Sequence, residues 1–211
     1  MNILTQVNIN SDGFTWPNNG KYTWDALCRE LDHLSHLLPH LQKTNVMIQA
    51  GGNCGLIVKQ FINTFKAIYT FEPDPVNFYC LNINLPFTNV NKIQACIGNE
   101  YGMVDLVQPH QNDVGSYYVT AGSSIPTLKI DDLNLNECDL IMLDIEGYEL
   151  NALKGGEKTI LKYKPVLCIE IFEPWLNRFN VTADDIDKYI TNTLGYVKAN
   201  IYSSDQIYIP K

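Results

Sequence analysis

Short apolar runs alternate with segments of helical spacing through most of the chain. The runs that predict strands lie at residues 45–51, 67–73, 92–98, 103–109, 138–147 and 165–172. Segments with helical spacing lie between or after them, at residues 55–65, 75–85, 148–161 and 182–194. Strands that alternate with helices favour a mainly parallel sheet covered on both faces. Residues 196–202 and 205–210 are close enough along the chain to form an antiparallel hairpin.

The first 42 residues follow a different pattern. Residues 1–20 are polar and rich in turn formers, which predicts a surface segment or lid. Residues 22–42 carry leucines at three- and four-residue steps and predict one amphipathic helix, which Pro39 should bend or end. Three histidines on another flank of this helix are expected to face solvent: His33, His36 and His40.

A glycine-rich turn follows the first predicted strand. Residues 48–55 read IQAGGNCG, in which Gly51 permits a tight turn and Gly55 permits close packing of the following helix. The N–H groups of such a turn can hold a polar group of a ligand beyond the strand end. Glu72 ends the next strand, 21 positions after Gly51, where related folds bind the two hydroxyls of a ribose. Together the glycines and this acid predict a nucleoside site.

The same turn disfavours two other kinds of site. It has one glycine fewer than the G-x-G-x-x-G pattern of dinucleotide-binding proteins. It also lacks the lysine of a phosphate-binding loop, so phosphate transfer is not expected. A polar stretch at residues 109–124 predicts a long loop. Tyr117 and Tyr118 in this loop are expected to pack as ordinary aromatic residues, with part of a lid as the alternative.

Acidic residues cluster after two later strands. Asp144 and Glu146 lie two positions apart, so they project from the same face of a strand. Gly147 turns the chain, and Glu149 falls in the first turn of the next helix, where a carboxylate suits the helix dipole. Glu170 ends the neighbouring strand, so its carboxylate should meet the others at the carboxyl edge of the sheet. Crowded carboxylates suit proton abstraction, and their oxygens could equally hold a divalent cation.

The composition indicates which cellular compartment and which kinds of partner to expect. The 211 residues are 45% hydrophobic and 18% charged, the balance of an ordinary globular domain. The net charge of −8 disfavours a nucleic-acid partner. No apolar run approaches the ~20 residues of a membrane helix, and no signal-peptide pattern is present at the start. The six cysteines form no C-x-x-C pair and are expected to be reduced residues of a cytoplasmic protein.

Four segments, in order and spacing, resemble the FkbM-type methyltransferases, which use S-adenosylmethionine (SAM). They are IQAGGNCG, FEPDPVNFYCLNIN, ACIGNEYGMVDL and LDIEGYELNALKGG, and the resemblance covers about residues 45–172. It implies an α/β, Rossmann-like class I methyltransferase fold with a mainly parallel seven-stranded sheet, helices on both faces and a C-terminal antiparallel hairpin. We therefore expect an N-terminal lid segment and helix at residues 1–44 and the methyltransferase domain at residues 45–211, in one compact unit.

The resemblance also implies how SAM would bind. The glycine turn would border its methionine part, Glu72 would hold its ribose, and residues 96–98 would line its adenine. The expected cofactor-binding residues are Gln49, Gly51, Gly52, Asn53, Gly55, Glu72, Pro73, Asp74, Asn77, Cys96, Ile97, Gly98 and Asp144. The expected catalytic residues are Asp144, Glu146 and Glu170. Two positions depart from the family pattern, with Gln49 where aspartate is usual and Met142 where lysine is often found.

These features predict a SAM-dependent methyltransferase, with O-methylation of a small molecule or sugar as the expected reaction. The sugar preference rests on the resemblance alone. One alternative is a nicotinamide-dependent Rossmann oxidoreductase, which the short glycine motif disfavours. The other is a non-catalytic cofactor-binding or assembly module, for which Gln49 and Met142 are the best signs. The sequence does not predict an oligomeric state.

Overall fold

The computed structural model describes residues 3–211, with Glu30 described by its backbone alone. Its strands are β1 (Val7–Ile9), β2 (Thr15–Pro17), β3 (Val46–Ala50), β4 (Ala67–Phe71), β5 (Val90–Ile93), β6 (Cys96–Ile97), β7 (Gly102–Val107), β8 (Tyr118–Ala121), β9 (Ile125–Leu128), β10 (Leu140–Leu143), β11 (Val166–Glu170), β12 (Tyr196–Tyr202) and β13 (Asp205–Pro210). Its α-helices are α1 (Lys21–Leu27), α2 (His33–Leu37), α3 (Pro75–Asn84), α4 (Glu149–Gly155), α5 (Glu157–Tyr163), α6 (Glu173–Leu176) and α7 (Ala183–Lys188). Short 3₁₀-helices lie at Ile3–Thr5, Cys28–Glu30, Leu38–His40, Val58–Phe61, Ile130–Leu133 and Asn177–Phe179, and a π-helix lies at Tyr189–Thr193.

A seven-stranded sheet forms the centre of the fold, in the order β12-β13-β11-β10-β3-β4-β5. The five strands from β11 to β5 are parallel, and β13 lies antiparallel between β11 and β12. The predicted mainly parallel sheet and its C-terminal hairpin are therefore confirmed. The strand order reverses between β3 and β10, and in open α/β sheets a ligand crevice forms beyond the strand ends at this point.

Both faces of this sheet are covered by apolar side chains. Ile141 and Leu143 of β10 point into one buried cluster, and Leu140 and Met142 point into the other. All four residues are buried, which explains why this strand reads as a continuous apolar run instead of an alternating one. No helix within residues 3–211 is long and apolar enough to cross a membrane.

A second sheet of four strands, in the order β6-β9-β7-β8, was not predicted. The run at residues 92–98 is divided between two sheets, because β5 pairs with β4 and β6 pairs with β9. The prediction of a loop throughout residues 109–124 was also wrong, because β8 pairs with β7. Strand β8 is half-buried to exposed along its length, so it carries no clear alternation of buried and exposed positions.

Several predicted helices are shorter or broken. The predicted helix at 22–42 is divided into α1, α2 and two 3₁₀ turns, and only one 3₁₀ turn lies within the predicted helix at 55–65. Valine, isoleucine and threonine are frequent in residues 55–65 and lower the helix propensity of this segment. The predicted helix at 148–161 breaks at Gly156, and the one at 182–194 ends as a π-helix. Local spacing predicted these helices but not their interruptions.

The N-terminal segment, expected to be a surface segment or lid, is exposed or half-buried at residues 3–13 and buried at residues 14–17. Strands β1 and β2 pair antiparallel, and all three residues of β2 are buried. Trp16 packs edge-on against Trp24 of α1, with 4.9 Å between the ring centroids. The start of the predicted segment, residues 1–2, lies outside the described residues.

Candidate active site

The glycine turn is shaped by the close approach of β3 and β10. Gly51 has a φ of +90°, and a Cβ atom there would lie 1.9 Å from the carbonyl oxygen of Asp144. Both the left-handed backbone and this contact require glycine. The N–H groups of Gly51 and Gly52 donate to the carbonyl of Phe71, at 3.1 and 2.8 Å, which joins the turn to the end of β4.

Glu72 lies directly after β4 and faces this turn. One of its carboxylate oxygens accepts the Asn53 N–H at 2.7 Å, and the other accepts the Asp74 N–H at 2.8 Å. Burial raises the pKa of Glu72 to about 8, although these two hydrogen bonds act in the opposite direction. The side chain is therefore a buried carboxyl group at the carboxyl end of the sheet.

Three further carboxyl groups lie near Asp144, which follows β10. Burial, together with the neighbouring Asp144, raises the pKa of Glu146 to about 9, while Arg178 at 3.8 Å acts in the opposite direction. Burial and the same aspartate also raise the pKa of Glu170 at the end of β11. Burial raises the pKa of Glu149 to about 7. The expected crowding of acids at this edge is therefore present.

Glu149 has a structural role, as its position at the start of α4 indicated. It is fully buried, and one carboxylate oxygen accepts the N–H groups of Ile145 and Gly147 at 3.0 and 3.2 Å. These bonds hold the turn in which Glu146 adopts a φ of +60°. A non-glycine residue in this conformation is uncommon, and here the conformation fixes where the Glu146 side chain lies.

Two adjoining cavities lie over this edge of the sheet, and together we call them the groove. The first cavity is walled largely by apolar and aromatic side chains, among them Phe71, Ile97, Tyr117, Val119 and Tyr148. The second cavity has both polar and apolar walls, and its polar side includes Gln49, Asn53, Asp113 and Glu170. The residues that line both cavities are Gly51, Glu72, Gly115, Asp144 and Glu146. The groove thus has an apolar end and an acidic end that meet at Glu72 and Asp144.

Most of the residues expected in the site line the groove. The first cavity contains Gly51, Glu72, Pro73, Asn77, Cys96, Ile97, Asp144 and Glu146. The second cavity contains Gln49, Gly51, Gly52, Asn53, Glu72, Asp144, Glu146 and Glu170. The structure thus brings the glycine turn, the acid after β4 and the acids after β10 and β11 to one place.

Three expected binding residues are not in the wall of either cavity. Asp74 is the N-cap of α3 and accepts the N–H groups of Val76 and Asn77, each at 2.9 Å. At Gly55 a Cβ atom would approach Leu85 at 2.9 Å, and at Gly98 it would approach Thr127 at 2.8 Å. Asp74 therefore caps a helix, and the two glycines permit close packing against Leu85 and Thr127.

Gln49 occupies the position where the family usually has aspartate. Its side chain is buried, its amide nitrogen donates to the Gly51 carbonyl at 2.8 Å, and its amide oxygen accepts the Thr70 hydroxyl at 2.6 Å. The neutral amide in the wall of the second cavity therefore holds the glycine turn through its bond to the Gly51 carbonyl. Met142, the other departure from the family pattern, also lines this cavity.

The loop after β7 lies over the groove, with Tyr117 in the wall of the first cavity, but the sequence did not specify the contacts that hold it there. The Val114 carbonyl accepts the side-chain amides of Asn53 and Asn77, at 3.0 and 2.7 Å. The Thr23 hydroxyl of α1 donates to Asp113 at 2.8 Å and accepts the Val114 N–H at 2.9 Å. Because these partners are up to 91 positions apart in the chain, no local pattern predicts them.

His33 was expected to face solvent, and this prediction was wrong. The side chain is buried, lines the second cavity, and places its Nε2 atom 2.6 Å from an Asp205 carboxylate oxygen. The predicted helix breaks before α2, so the leucine spacing of the preceding segment does not set the direction of His33. Asp205 lies 172 positions away, and the sequence carries no local signal for the pair.

The buried carboxyls predict how the ligand-free protein responds to pH. The folded-state pKa values of Glu72, Glu146 and Glu149 lie above their ordinary value, so folding favours their protonated forms. Their contribution to stability is complete below about pH 4.5 and is lost as the pH rises through about 7 to 9. We expect the thermal midpoint to fall between pH 6 and pH 9. Glu146→Gln should show a smaller fall, and an equal fall in both proteins would contradict this assignment.

Within residues 3–211 the structure contains no group of three or more histidine, cysteine, aspartate or glutamate side chains arranged to hold a metal ion.

The fold is that of a class I, Rossmann-like methyltransferase. The FkbM methyltransferase from Methylobacillus flagellatus KT superposes with a TM-score of 0.53 and 22% identity, over 79% of this chain and 43% of that one. The precorrin-6y C5,15-methyltransferase from Geobacter metallireducens GS-15 superposes with a TM-score of 0.51 and 12% identity, over 99% of this chain and 98% of that one. A Methanobacterium thermoautotrophicum protein described as a precorrin 8W decarboxylase superposes with a TM-score of 0.50 and 12% identity, over 86% and 90%.

The family follows from the sequence itself. The family described as methyltransferase FkbM domain matches residues 56–198, which is more than half of the chain, so the chain belongs to this family. The resemblance inferred from the four motifs is confirmed. The chain spans less than half the length of the FkbM methyltransferase structure that it resembles. No curated protein sequence matches it significantly.

Proposed function

We propose that the protein transfers the methyl group of SAM to a hydroxyl of a small molecule, such as a sugar. Membership of the methyltransferase FkbM domain family supports the methyl-transfer chemistry. The observation that carries the proposal is the groove, in which the glycine turn, Glu72 and the acids after β10 and β11 converge. The choice of a hydroxyl or sugar as acceptor rests on the sequence resemblance.

The chemistry of the groove fits SAM along its length. The apolar first cavity suits an adenine ring, with Ile97, Tyr117 and Tyr148 in its wall. Glu72 suits the ribose, since each of its carboxylate oxygens accepts one backbone N–H and retains a lone pair for a hydroxyl. The acidic end suits the sulfonium and ammonium charges of SAM, because Asp144 and Glu146 face both cavities.

In this proposal SAM supplies an electrophilic methyl group, and the protein supplies alignment, a dry site and proton handling. Asp144, Glu146 and Glu170 would surround the methyl group and orient the acceptor hydroxyl. The loop at Asp113 to Tyr117, together with Thr23 of α1, would exclude water from the groove. Holding two reactants in line contributes as much as ~7–11 kcal/mol to lowering a barrier, so methyl transfer needs little covalent help.

Calorimetric titration with SAM, S-adenosylhomocysteine (SAH) and NAD tests this proposal against its alternatives. We expect SAM and SAH to bind and NAD not to bind. Binding of NAD alone would favour the oxidoreductase. Binding of SAM without methyl transfer to any member of a broad acceptor panel would favour the non-catalytic module. The neutral Gln49 side chain, which holds the glycine turn where the family usually has aspartate, would then be a feature of that module.

The ribose assignment predicts the effect of Glu72→Gln. At pH 9, above the raised pKa of Glu72, the substitution preserves the shape of the side chain but removes a charge-assisted hydrogen bond worth ~1.5–3 kcal/mol, so SAM affinity should fall by about tenfold or more. Glu137→Gln, at an exposed carboxylate before β10, is the matched control and should leave the affinity unchanged. If Glu72→Gln binds SAM as tightly as the wild type does, the ribose lies elsewhere.

The remaining expectations belong to the same proposal. We propose that residues 1–44 cover the domain formed by residues 45–211, supported by the positions of Thr23 and His33 in the wall of the second cavity. A cytoplasmic location is supported by the cysteines, all free and five of them buried within residues 3–211. The net charge of −8 supports a small-molecule acceptor over nucleic acid.

A further inference from the structure

Arg178 links the acidic end of the groove to two aromatic rings. It lies in the 3₁₀-helix that follows α6, and its Nη1 atom is 3.8 Å from the Oε2 atom of Glu146. Its guanidinium carbon is 4.0 Å from the centre of the Trp175 ring of α6 and 4.4 Å from the centre of the Tyr118 ring of β8. Cation–π contacts with two rings therefore hold the guanidinium group beside a residue that lines both cavities.

The charges of Arg178 and Glu146 depend on each other. Nη1 of Arg178 and Oε2 of Glu146 are buried, and neither atom has a hydrogen-bond partner among the residues that the structure describes. The attraction between the two charges thus offsets their loss of water, and removing one partner would leave the other charge buried and unpaired. Because Oε2 faces the arginine, Oε1 is the carboxylate oxygen that is left for the groove.

The backbone on either side of Glu146 is also fixed. Glu146 has a φ of +60°, and the N–H groups of its two neighbours, those of Ile145 and Gly147, donate to one carboxylate. At Gly147 a Cβ atom would lie 2.4 Å from the carbonyl oxygen of Trp175, so the turn packs directly against α6. The position of the Glu146 carboxylate therefore depends on the segment that follows β11.

Arg178 supplies a permanent positive charge among acids. The other titratable groups that act on Glu146 or share a cavity with it are Asp113, Asp144, Glu149, Glu170, Glu72 and His33. Of these only the His33 ring can carry a positive charge, and its Nε2 atom is paired with Asp205. Burial and Asp144 raise the pKa of Glu146 to about 9, and Arg178 acts in the opposite direction. A second positive charge, such as the sulfonium in the proposed function, would then favour ionisation of Glu146.

We propose that Arg178 is a positioning residue for the methyl transfer, which holds the Glu146 carboxylate where the two cavities meet and helps to ionise it when SAM is bound. The inference rests on the proposed function, in which Glu146 orients the acceptor hydroxyl. An ionised carboxylate only accepts hydrogen bonds, so the hydroxyl would direct its proton to Glu146 and a lone pair of its oxygen to the methyl group. Tyr118 and Trp175 keep the guanidinium group in the place that this requires.

Arginine NMR tests the pairing without an acceptor. The chain contains two arginines, Arg29 and Arg178, so ¹³C-labelled arginine gives two guanidinium carbon signals, and an Arg29→Lys variant assigns them. In the ligand-free protein the Arg178 signal should shift as Glu146 ionises, with a midpoint near pH 9. In the SAM complex the midpoint should fall by about one unit or more, the effect of a unit charge within ~10 Å at an effective dielectric constant of ~20. In the SAH complex it should not fall, and the signal of exposed Arg29 should show no such step.

Two variants identify the group that titrates. Glu146→Gln removes the carboxyl group assigned to the step, so the Arg178 signal should lose it. Tyr118→Phe keeps an aromatic ring against the guanidinium group but removes the ionisable hydroxyl, so the step should remain. A wild-type Arg178 signal without a step near pH 9, or a step that persists in Glu146→Gln, would show that the pairing is wrong.

Arg178→Met and Arg178→Lys separate the charge from the packing. Both new side chains can cover the two rings, but only lysine retains the charge. With any acceptor that the wild type methylates, we expect Arg178→Met to move the acidic limb of the kcat profile up by about one pH unit or more, because a unit charge ~4 Å away is lost. Near neutral pH kcat should then fall ~10-fold or more and should recover at higher pH. Arg178→Lys should keep most of the wild-type profile, and Arg29→Met, at an exposed arginine, is the matched control.

The outcomes separate this inference from the proposed function. If SAM does not bind, the proposed function fails, and the inference fails with it. If SAM binds but leaves the midpoint of the Arg178 signal unchanged, only the role of Arg178 fails. An equal loss of kcat at every pH in Arg178→Met, or the same loss when it is added to Glu146→Gln, would indicate packing alone and would overturn that role. A loss that high pH restores, and that disappears in the Glu146→Gln background, supports it.

Discussion

Replacing Gly51 with alanine is expected to destabilise the protein by about 4 kcal/mol or more, the range of severe single substitutions. The new Cβ atom would lie 1.9 Å from the carbonyl oxygen of Asp144, and Gly51 has a φ of +90°. Neither partner can move cheaply, because β3 and β10 are neighbouring strands in the middle of the sheet. Chemical denaturation measures the change in the free energy of unfolding.

Gly102→Ala is the matched control for this prediction. Gly102 begins β7, is exposed, and would place a Cβ atom with nothing within 4 Å. Its substitution should change the free energy of unfolding by no more than ~0.5 kcal/mol. A Gly51→Ala protein as stable as the control would show that the glycine turn does not need its close approach to β10. The shape assigned to the groove would then be wrong.

Binding of SAM is expected to release protons, so its affinity relative to SAH should increase by about tenfold or more from pH 6 to pH 8. Burial raises the pKa of Glu72 to about 8 and that of Glu146 to about 9. These groups are therefore largely protonated near neutral pH in the free protein. The sulfonium charge of SAM favours their ionised forms, which lowers their pKa values on binding and releases a proton. SAH carries no such charge and should release fewer protons.

The sign of this dependence follows from linkage. A ligand that releases protons binds more tightly as the pH rises, until the pH exceeds the free-state pKa and no proton is left to release. Calorimetry of SAM and SAH in buffers of different ionisation enthalpy counts the protons directly. Glu146→Gln should reduce the difference between the two ligands. Equal proton release for SAM and SAH in the wild type would place the sulfonium away from these acids.

Long, strongly patterned segments were predicted well. The buried strand β10 reads as a continuous apolar run, and the helical spacing at residues 75–85 coincides with α3. The glycine spacing and Glu72 identified the two strand ends that border the groove. These features depend on neighbouring residues along the chain, where backbone preferences and burial act directly.

Short or half-exposed elements were predicted poorly. Strand β8 lies at a sheet edge and carries no clear alternation, and the predicted helix at 22–42 contained no glycine to mark its breaks. The same local spacing placed His33 on the solvent-facing side of the predicted helix. This prediction was wrong because the buried position of His33 depends on Asp205 in another element. A partner that distant leaves no periodic signal.

The sequence by itself determined the alternation of strands and helices, the glycine turn, the acids at the strand ends and the family of the chain. Each of these depends on residues close together in the chain, whose spacing sets backbone conformation and burial. Only the tertiary structure decided which distant groups share the groove, such as Thr23 with Asp113 and His33 with Asp205. Packing of separate elements creates those contacts, and it also buries the carboxyls whose raised pKa values shape the expected chemistry.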